Sequence, residues 1–560
     1  MGHEEHGLRT GECLPAVDAQ RQPDDPVGEL SLDAQSRLLD ALARRLAAGG
    51  RDGVQRIDTH ISAVLLHGGQ AYKFKKALRT PFLDQSTLAR RQAACAEELR
   101  LNRRFAPDLY LGVVRVTGTP AAPDIDGTGP LLDVAVRMHA FDNAGLWDRL
   151  AAAGRLGAAQ IDEGATTVAR FHDAAAVAGA DQATATPQGQ RQPVLENLDE
   201  LDALAAGTGL RAALRRLRRA EAEGFARLAG PLAQRLAAGA VRECHGDLHL
   251  GNVVQHGGHA TLFDGIEFKA AWRWIDVMNE VAFMAMDLHA HGLPALAHRF
   301  VDAYLQQRGD YDGVRLLPWF MAYRAAVRAK VALLRAAQPG ADRRRETRAA
   351  RHYLALALAL AGTPRRRPAL LITHGPSGSG KTTLTQSLLE RTGAVRIRAD
   401  VERKRLAGLG ALARSGSGLG GGLYGPAMTA ATYARLLDAA APVVDAGGIA
   451  ILDATFLRHA QRAAARRWAA ERGLPFVVLD FPAAPALLRQ RLRDRAAHGS
   501  EASEADLQVL ELQLRTAEPL RPDEQDAVFT VTPSTAPGLP GTTTGAWQPL
   551  LERLHGNGCR

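Results

Sequence analysis

The sequence predicts a multidomain protein of the α/β and α+β classes, with a parallel sheet in its C-terminal part. Three observations lead to this prediction. The chain has 560 residues, which is more than one ordinary hydrophobic core accommodates. A glycine-rich motif follows an apolar strand pattern near residue 370, and strand and helix patterns alternate after it. Further upstream, an aspartate and an asparagine stand five residues apart, and another acidic residue follows about a dozen positions later.

Changes in composition divide the chain into four predicted segments. Residues 1–26 are polar and contain proline, and we expect them to be disordered. Residues 27–340 have the periodicity of a folded N-terminal domain. Residues 341–367 contain a helix-forming stretch that Pro364 ends, and they predict a basic helical linker. Residues 368–556 form the predicted second domain.

The bulk composition is that of a soluble globular protein, with 46% hydrophobic and 23% charged residues. The net charge is +9, but only seven of the 69 basic residues are lysine, and arginine is spread over the whole chain. We therefore attribute the charge to a general compositional bias and expect no nucleic-acid partner. No segment has the run of about 20 apolar residues that spans a bilayer, and the N-terminus lacks a signal-peptide core. We expect a cytoplasmic protein without a membrane partner.

The segment ALLITHGPSGSGKTT carries the strongest motif of the chain. An apolar strand pattern leads into Gly-x4-Gly-Lys-Thr and a helix pattern follows, which is the context that a P-loop requires. The backbone N–H groups of such a loop cradle phosphate. Lys381 is predicted to neutralise the β- and γ-phosphates, and Thr382 to ligate magnesium. The predicted nucleotide-binding residues of the loop are Gly375, Pro376, Ser377, Gly378, Ser379, Gly380, Lys381, Thr382 and Thr383.

Three later segments fit the same predicted P-loop NTPase fold. AVRIRAD predicts a strand that ends at Asp400, with Arg403 one helical turn later, and GGIAILDATF predicts a strand that ends at Asp453. Parallel sheets place ligands at the carboxyl ends of their strands, so Asp453 is either a Walker-B-type carboxylate or a substrate-binding acid. Arg491 and Arg495 share one face of a later helix and predict a lid over the nucleotide. A solvated arginine-rich helix explains either arginine equally well.

These motifs in residues 369–520 resemble the small AAA-type P-loop kinases related to gluconate kinase, chloramphenicol phosphotransferase and polynucleotide kinase. The resemblance implies that Asp400 activates or positions the hydroxyl of the substrate. It also implies that Arg403 and Asp453 contact that substrate. The alternative role for Asp400 is to cap the N-terminus of the following helix.

A second motif lies in ECHGDLHLGNVV. Asp247 and Asn252 have the spacing of a kinase catalytic loop, in which the aspartate accepts the hydroxyl proton and the asparagine binds magnesium. Asp264 ends the strand pattern TLFD and is predicted to supply the second magnesium ligand. His245 and His249 also have the i, i+4 spacing of a metal pair, but the aspartate and asparagine explain the loop without a metal bound by histidine.

The order HGDLHxxN and the stretch FDGIEFKAAWRWIDVMNEVAF resemble the aminoglycoside phosphotransferase and choline kinase branch over about residues 30–334. This resemblance implies a protein-kinase-like fold, in which a strand lysine contacts the phosphates and pairs with a helix glutamate. AYKFKK offers Lys73 and Lys75 on one strand face, and the next helix pattern offers Glu97 and Glu98. The family pattern favours Lys75 with Glu98, with Lys73 as a near alternative. A solvated edge strand is the other explanation for these lysines.

The pairing of both modules resembles bacterial proteins described as bifunctional phosphotransferase and ATP-binding proteins. It implies ATP and Mg²⁺ as cofactors and transfer of the γ-phosphoryl group to a small-molecule hydroxyl, with a separate site in each domain. Two alternatives stay open. One is a nucleotide-gated regulator with an inactive kinase domain, for which the short glycine turn at Gly68 and Gly69 gives some support. The other is a polynucleotide-type kinase, favoured by charge and by distant P-loop kinship.

Overall fold

The computed structural model describes residues 30–48, 53–80, 83–338, 340–362, 367–411, 413, 422–498, 506–531 and 547–555. The segment 1–26, predicted to be disordered, lies outside the described residues. The chain divides into two compact units. The N-terminal unit comprises Met1–Gly292 and Pro318–Gly362, and the C-terminal unit comprises Leu293–Leu317 and Thr363–Arg560.

The described part of the N-terminal unit contains both strands and helices. The strands are β1 (Gln55–Asp58), β2 (Ser62–His67), β3 (Gln70–Lys75), β4 (Arg79–Thr80), β5 (Leu83–Asp84), β6 (Tyr110–Thr119), β7 (Ala122–Ile125), β8 (Leu131–His139), β9 (Val241–Glu243), β10 (Val253–His256), β11 (His259–Leu262) and β12 (Trp274–Asp276). The helices are α1 (Leu32–Ala48), α2 (Leu88–Asn102), α3 (Trp147–Ala152), α4 (Ala158–Ala174), α5 (Pro187–Leu204), α6 (Arg211–Ala237), α7 (Val277–Ala290), α9 (Leu317–Ala336) and α10 (Arg343–Ala361).

The main sheet of this unit is antiparallel, with the strand order β1-β2-β3-β8-β6-β7. Side chains alternate across a strand, so β3 sends Tyr72 and Phe74 to the face that packs with Leu42 of α1. Lys73 and Lys75 consequently point to the opposite face, where they meet Glu98 of α2. The two-residue period of β3 thus carries both lysines towards the same helix.

The C-terminal unit is built on a second sheet with helices. Its strands are β13 (Ala369–His374), β14 (Val395–Arg398), β15 (Ile449–Asp453), β16 (Phe476–Asp480) and β17 (Val528–Thr530). Its helices are α8 (Pro294–Arg308), α11 (Lys381–Thr392), α12 (Ala399–Leu406), α13 (Pro426–Asp445), α14 (His459–Glu471), α15 (Pro485–His498), α16 (Leu507–Thr516) and α17 (Gln548–His555). None of the helices in the described ranges combines the length and the apolarity needed to cross a membrane.

This second sheet is parallel, with the order β14-β15-β13-β16-β17. The order reverses at β13, so the loop after β13 opens at the switch point where parallel sheets bind ligands. One detail corrects the sequence prediction. The strand that was expected to reach Asp400 ends at Arg398, which is itself the N-cap of α12. Asp400 lies in the first turn of α12, so it does not cap the helix.

The compact units differ from the predicted domain ranges in residues 293–317 and 341–362. Helix α8 belongs to the C-terminal unit because its side chains satisfy buried groups there. Asp302 of α8 accepts from Arg396 of β14 at 3.0 Å, and Gln306 donates to the Arg396 carbonyl at 2.6 Å. Arg299 of α8 also pairs with Glu390 of α11 at 2.7 Å. A fragment that begins near residue 367 therefore lacks a helix that its own sheet packs against.

Candidate functional site

The loop between β9 and β10 brings the predicted catalytic residues of the N-terminal unit together. Asp247 is 4% exposed and lines a cavity. Asn252 is fully buried, and its Nδ2 donates to the Asp247 carbonyl at 2.9 Å and to Asp247 Oδ2 at 3.2 Å. These two hydrogen bonds tie together the ends of the six-residue segment from Asp247 to Asn252. The carboxylate of Asp247 is consequently held at the wall of the cavity.

Asp264 follows β11 and reaches the same cavity through an unusual backbone conformation. Its φ angle is 62°, in the left-handed region that residues other than glycine rarely adopt. The backbone N–H of Asp264 donates to the Tyr110 hydroxyl at 3.0 Å, and the Asp264 carboxylate pairs with Lys73. Such strained conformations cluster at functional sites, because the surrounding structure must hold them. Sequence reasoning did not find Tyr110, since no local motif marks it.

The two candidate lysines of β3 occupy different places. Lys73 lines the cavity, and its Nζ contacts Glu98 Oε1 at 2.9 Å as well as Asp264. Lys75 is 1% exposed, does not line the cavity, and lies between Glu98 at 2.5 Å and Glu267. The geometry therefore corrects the preference for Lys75: Lys73 is the lysine that phosphate in the cavity would meet. Glu98, as predicted, is the partner glutamate of both lysines.

The charges of this cluster stabilise one another. Burial alone would lower the pKa of Lys73, but the carboxylates of Asp264 and Glu98 raise it well above its ordinary value. Burial would likewise raise the pKa of Glu98, but Lys73 and Lys75 lower it to about 2. Lys73 is consequently a permanent cation at the cavity wall. A permanent cation there suits the binding of phosphate.

The cavity has a volume of about 930 Å³, including its opening to solvent. Apolar side chains line part of it, among them Val64, Leu66, Ala71 and Met138. Lys73, Asp247 and Asp264 lie at its polar part. An apolar wall next to a few convergent charged groups is the arrangement of a small-molecule or cofactor site. This lining would suit a nucleotide whose base meets the apolar side chains and whose phosphates lie near Lys73.

The side-chain oxygens of Asn252 and Asp264 are of the kind that holds a magnesium ion. Asn252 Oδ1 is buried and has no hydrogen-bond partner among the described residues. An unsatisfied buried oxygen is costly unless a ligand or ion meets it. The Asp264 carboxylate supplies a second oxygen of the kind that magnesium prefers. Asn252 and Asp264 would hold the metal, and this assignment stays a prediction.

We expect substitutions of the two lysines to have different consequences. Lys73→Met removes a charge at the cavity wall, so it should weaken binding of a magnesium–ATP analogue by about 100-fold. Lys75→Met leaves Glu98 and Glu267 without their shared cation and should destabilise the protein by about 3–5 kcal/mol. Calorimetric titration and urea unfolding measure the two effects, with Lys76→Met as the matched control. Loss of nucleotide affinity on changing Lys75 in a fully folded protein would reverse this assignment.

Glu280 of α7 holds the loop between β9 and β10 in place by accepting hydrogen bonds from its backbone. Its carboxylate accepts from the backbone N–H of His245 at 3.2 Å and of Gly246 at 2.7 Å, and it bonds His172 Nε2 at 2.7 Å. Burial would raise the pKa of Glu280, but the hydrogen bond and charge of His172 and the contacts with His245 and Gly246 lower it to about 2. The sequence did not indicate a role for Glu280, although the residue lies in the stretch that resembles the kinase family. Its role depends on a neighbour 35 positions away.

The lowered pKa of Glu280 predicts a pH-dependent contribution to stability. A depressed carboxyl pKa stabilises the fold above the unfolded value near 4.5, and this stabilisation is lost as the pH falls towards about 2. Glu280→Gln should therefore lower the free energy of unfolding by about 3 kcal/mol at pH 7. The difference from wild type should shrink between pH 4.5 and pH 2 in urea unfolding. The exposed Glu223→Gln is the control, and a difference that stays constant with pH would contradict the assignment.

The P-loop of the C-terminal unit has the backbone that its glycines permit. Gly375, Gly378 and Gly380 have φ angles of 143°, 82° and 90°, which favour glycine. A Cβ atom on Gly375 would come within 2.9 Å of Ser379 Oγ, inside the loop. Lys381 Nζ donates to the carbonyls of Gly375 at 2.9 Å and Pro376 at 2.7 Å. The ammonium group is thus held in the concave side of the loop, where phosphate binds in this motif.

A neighbouring strand and a helix contribute further side chains beside the P-loop. Asp453, at the end of β15, accepts from Thr382 Oγ1 at 2.7 Å, so the two predicted metal-site oxygens are adjacent. Arg491 of α15 donates to the Gly378 carbonyl at 3.1 Å and so lies at the P-loop, while the side chain of Arg495 lies outside the described part of the chain. The oxygen pair fits magnesium, because a hydroxyl and a carboxylate are the ligands that a P-loop site uses. The phosphate cradle and the metal ligands therefore converge here too.

Other predicted residues of the C-terminal unit lie nearby on α12. Arg403 donates to Asp400 Oδ1 at 3.2 Å, and its guanidinium lies 5.0 Å from the centre of the Tyr424 ring. The pair joins an acid and a base one helical turn apart, as the spacing indicated. Their roles towards a substrate stay predictions.

Gln513 contacts the P-loop, and the sequence did not predict this contact. Its side chain accepts from the Ser377 backbone N–H at 2.8 Å, and no motif in the sequence marks the residue.

Comparison with known proteins finds a family match in the C-terminal part of the chain and a relative that covers most of the chain. Residues 370–520 match the AAA domain family, which confirms the resemblance stated for the C-terminal domain. The chain is 30% identical over 454 residues to the uncharacterized protein Rv2004c of Mycobacterium tuberculosis strain H37Rv, covering 80% of this chain and 87% of the relative. The mixed fold class is confirmed by the antiparallel sheet of one unit and the parallel sheet of the other.

Two solved structures are similar to separate parts of the chain. A gluconokinase from Sinorhizobium meliloti 1021 is 22% identical, with 30% of this chain and 83% of that chain covered and a TM-score of 0.21. A choline/ethanolamine kinase family protein from Mesorhizobium loti is 14% identical, with 60% of this chain and 96% of that chain covered and a TM-score of 0.36.

Proposed function

This chain belongs to the family of the uncharacterized mycobacterial protein Rv2004c, and we propose that it is an ATP-dependent phosphotransferase with two nucleotide-binding modules. One observation carries the proposal. Each unit holds a lysine at a candidate phosphate site and has oxygen atoms suited to magnesium: Lys73 pairs with Asp264 while Asn252 bonds Asp247, and Lys381 lies inside the P-loop while Thr382 bonds Asp453. Each module transfers the γ-phosphoryl group of ATP to a hydroxyl of a small molecule.

In the N-terminal unit, each residue of the proposed site has a separate role in phosphoryl transfer. The acceptor hydroxyl oxygen forms a bond to the γ-phosphorus, the bond to the β-phosphate oxygen breaks, and the hydroxyl proton passes to Asp247. Lys73 offsets the negative charge of the phosphates. Asn252 and Asp264 would hold magnesium, which would supply positive charge to offset the negative charge of the phosphate oxygens. The hydrogen bonds from Asn252 to Asp247 keep the base in place for the proton.

In the C-terminal unit, the same chemistry rests on other elements. Lys381 and the P-loop amides bind the β- and γ-phosphates, and Thr382 and Asp453 hold the metal. Arg491 reaches the P-loop from α15 and adds positive charge beside the phosphates. Asp400 is the proposed base, and its partner Arg403 the proposed substrate contact. Both lie after β14, at the carboxyl edge of the parallel sheet where such substrates bind.

The test is calorimetric titration of the full chain with a non-hydrolysable ATP analogue and magnesium. We expect two binding events per chain, and one event for each of the single variants Lys73→Ala and Lys381→Ala. The full chain is used because α8 packs against the C-terminal sheet, which a cut near Pro364 would disrupt. A single binding event that Lys381→Ala abolishes would leave the N-terminal unit without a nucleotide site and overturn the two-module proposal.

The acceptor is sought by incubating the protein with a metabolite pool and ATP and measuring ATP-dependent phosphorylation. The double variant Asp247→Asn with Lys381→Ala serves as the inactive control. Phosphorylated products that form with wild type and disappear with this double variant support the proposal. Products that persist in the double variant come from another enzyme or another site and count against it.

A further inference from the structure

His249, two residues after the proposed base, has a fixed ring orientation. Its Nδ1 accepts a hydrogen bond from the backbone N–H of Gly251 at 3.0 Å. An accepting Nδ1 uses its lone pair, so the ring hydrogen is assigned to Nε2. A Cβ atom on residue 251 would come within 2.9 Å of the ring, so glycine lets the loop close this tightly around His249. The ring also contacts Phe283 edge-on at 5.5 Å.

The Nε2–H group of His249 has no hydrogen-bond partner among the described residues, although the atom is buried and the residue is 4% exposed. Asp247 Oδ2 is 3.6 Å away, which is beyond hydrogen-bond distance. A buried donor that stays unsatisfied costs about 1–3 kcal/mol. A donor in this position, beside a carboxylate that lines the cavity, therefore points to an oxygen of a bound molecule as its partner.

The distance between the two groups constrains that molecule. A single hydroxyl at about 2.8 Å from both His249 Nε2 and Asp247 Oδ2 would need an angle of about 80° between its two hydrogen bonds, which is strained. Two oxygens on neighbouring carbon atoms avoid this strain. One hydroxyl donates to Asp247, and the adjacent oxygen accepts from His249. The geometry therefore fits a vicinal diol better than an isolated alcohol.

The charged side chains near Asp247 indicate which charge the acceptor can carry. Arg324 is 5% exposed and donates to the Gly246 carbonyl at 3.0 Å, directly before Asp247 in the chain. Its guanidinium lies 4.7 Å from the centre of the Phe283 ring, the same ring that contacts His249. A positive group is thus fixed beside the catalytic loop by packing and by hydrogen bonding. An acceptor that carries its own positive charge would be repelled there.

Arg328, one turn further along α9, adds to this positive potential. Burial alone would lower the pKa of Arg328, but Tyr353, Asp287 and Asp247 raise it. The positive charges of Arg324 and Arg328 thus offset part of the negative charge of Asp247 and Asp287. A cationic amino alcohol is therefore less favoured as the acceptor than a neutral or anionic one.

We propose that His249 binds the oxygen next to the reacting hydroxyl, and that the N-terminal module phosphorylates a neutral or anionic polyol or sugar. The inference rests on the proposed phosphotransferase function of this unit. His249 acts as a positioning residue: its Nε2–H holds the neighbouring oxygen, while the reacting hydroxyl gives its proton to Asp247 and its oxygen bonds to phosphorus. ADP leaves with the electrons of the broken bond.

The test uses the full chain carrying Lys381→Ala, so that only the N-terminal site acts. The probes are glycerol and ribose, which contain vicinal diols, with propane-1,3-diol and choline as matched comparisons. We expect ATP-dependent phosphorylation of a vicinal diol and none of choline. Phosphorylation of choline alone, or of propane-1,3-diol as fast as glycerol, would overturn the inference.

Two substitutions of His249 separate positioning from a structural role. His249→Asn keeps an acceptor for Gly251 N–H but loses the Nε2 donor, and should lower kcat/KM for the diol about 10- to 100-fold. His249→Gln keeps a donor near the Nε2 position and should restore most of that activity. Affinity for the ATP analogue should not change in either variant. Equal activity of both variants, or equal loss in both, would overturn the positioning role.

One further comparison distinguishes this inference from the proposed function. Suppose that none of the diols is phosphorylated. If the ATP analogue still binds the N-terminal site and Asp264→Ala weakens that binding, the inference on the acceptor is wrong and the nucleotide site stands. If the analogue does not bind in the Lys381→Ala background, the proposed function of this unit itself fails.

Discussion

Lys381→Ala is expected to abolish nucleotide binding and turnover by the C-terminal unit. The Lys381 ammonium group is held inside the P-loop by two carbonyls, and it is the cation that meets the β- and γ-phosphates. Removing it should weaken binding of the ATP analogue by about 100-fold and lower turnover by about 1000-fold. The measurement is titration and ADP release in the full chain carrying Lys73→Ala, so that the N-terminal site does not contribute.

The control for this prediction is Arg391→Ala. Arg391 lies at the far end of the same helix, where it contacts Gln548, and its loss removes one positive charge without touching the P-loop. We expect normal nucleotide affinity in that variant. Equal losses in the two variants would indicate a general effect of charge or of helix stability. Normal ATP turnover after Lys381→Ala would show that the P-loop assignment is wrong.

Asp247→Asn should remove phosphoryl transfer by the N-terminal unit and leave nucleotide binding nearly intact. The asparagine side chain has a similar shape and still fills the loop beside Asn252, but it cannot accept the hydroxyl proton. Loss of general-base catalysis lowers kcat by about 100- to 10,000-fold. The rate of product formation in the Lys381→Ala background measures the loss, and the affinity for the ATP analogue is measured separately.

Asp264→Ala is the comparison that separates the two acids. Asp264 pairs with Lys73 and is a predicted metal ligand, so its loss should weaken magnesium–nucleotide binding itself, by about tenfold or more. Asp142→Ala, which removes an exposed cap of a short 3-10 turn, provides a neutral reference. Equal effects of Asp247→Asn and Asp264→Ala on ATP affinity would contradict the division of roles between base and metal ligand.

The sequence predicted the site residues that depend on local spacing. The P-loop from Gly375 to Thr382 and the loop from Asp247 to Asn252 each place their groups within a few residues, so the backbone between them fixes the geometry. The strand that ends at Asp453 was also predicted, because an apolar run buried in a parallel sheet has a clear pattern. The end of β14 was placed two residues too late, since hydrophobic pattern alone does not locate the cap of α12.

Only the tertiary structure decided between groups that share a local pattern. Lys73 and Lys75 lie on one face of β3, and their roles differ because Asp264, far along the chain, meets Lys73 while Glu267 encloses Lys75. The assignment of α8 to the C-terminal unit likewise depends on Asp302 reaching Arg396. The sequence by itself predicted the P-loop and the loop from Asp247 to Asn252, because the residues of each motif are close along the chain. Which lysine faces the cavity was decided by long-range packing, because burial and charge pairing involve residues that are distant in sequence.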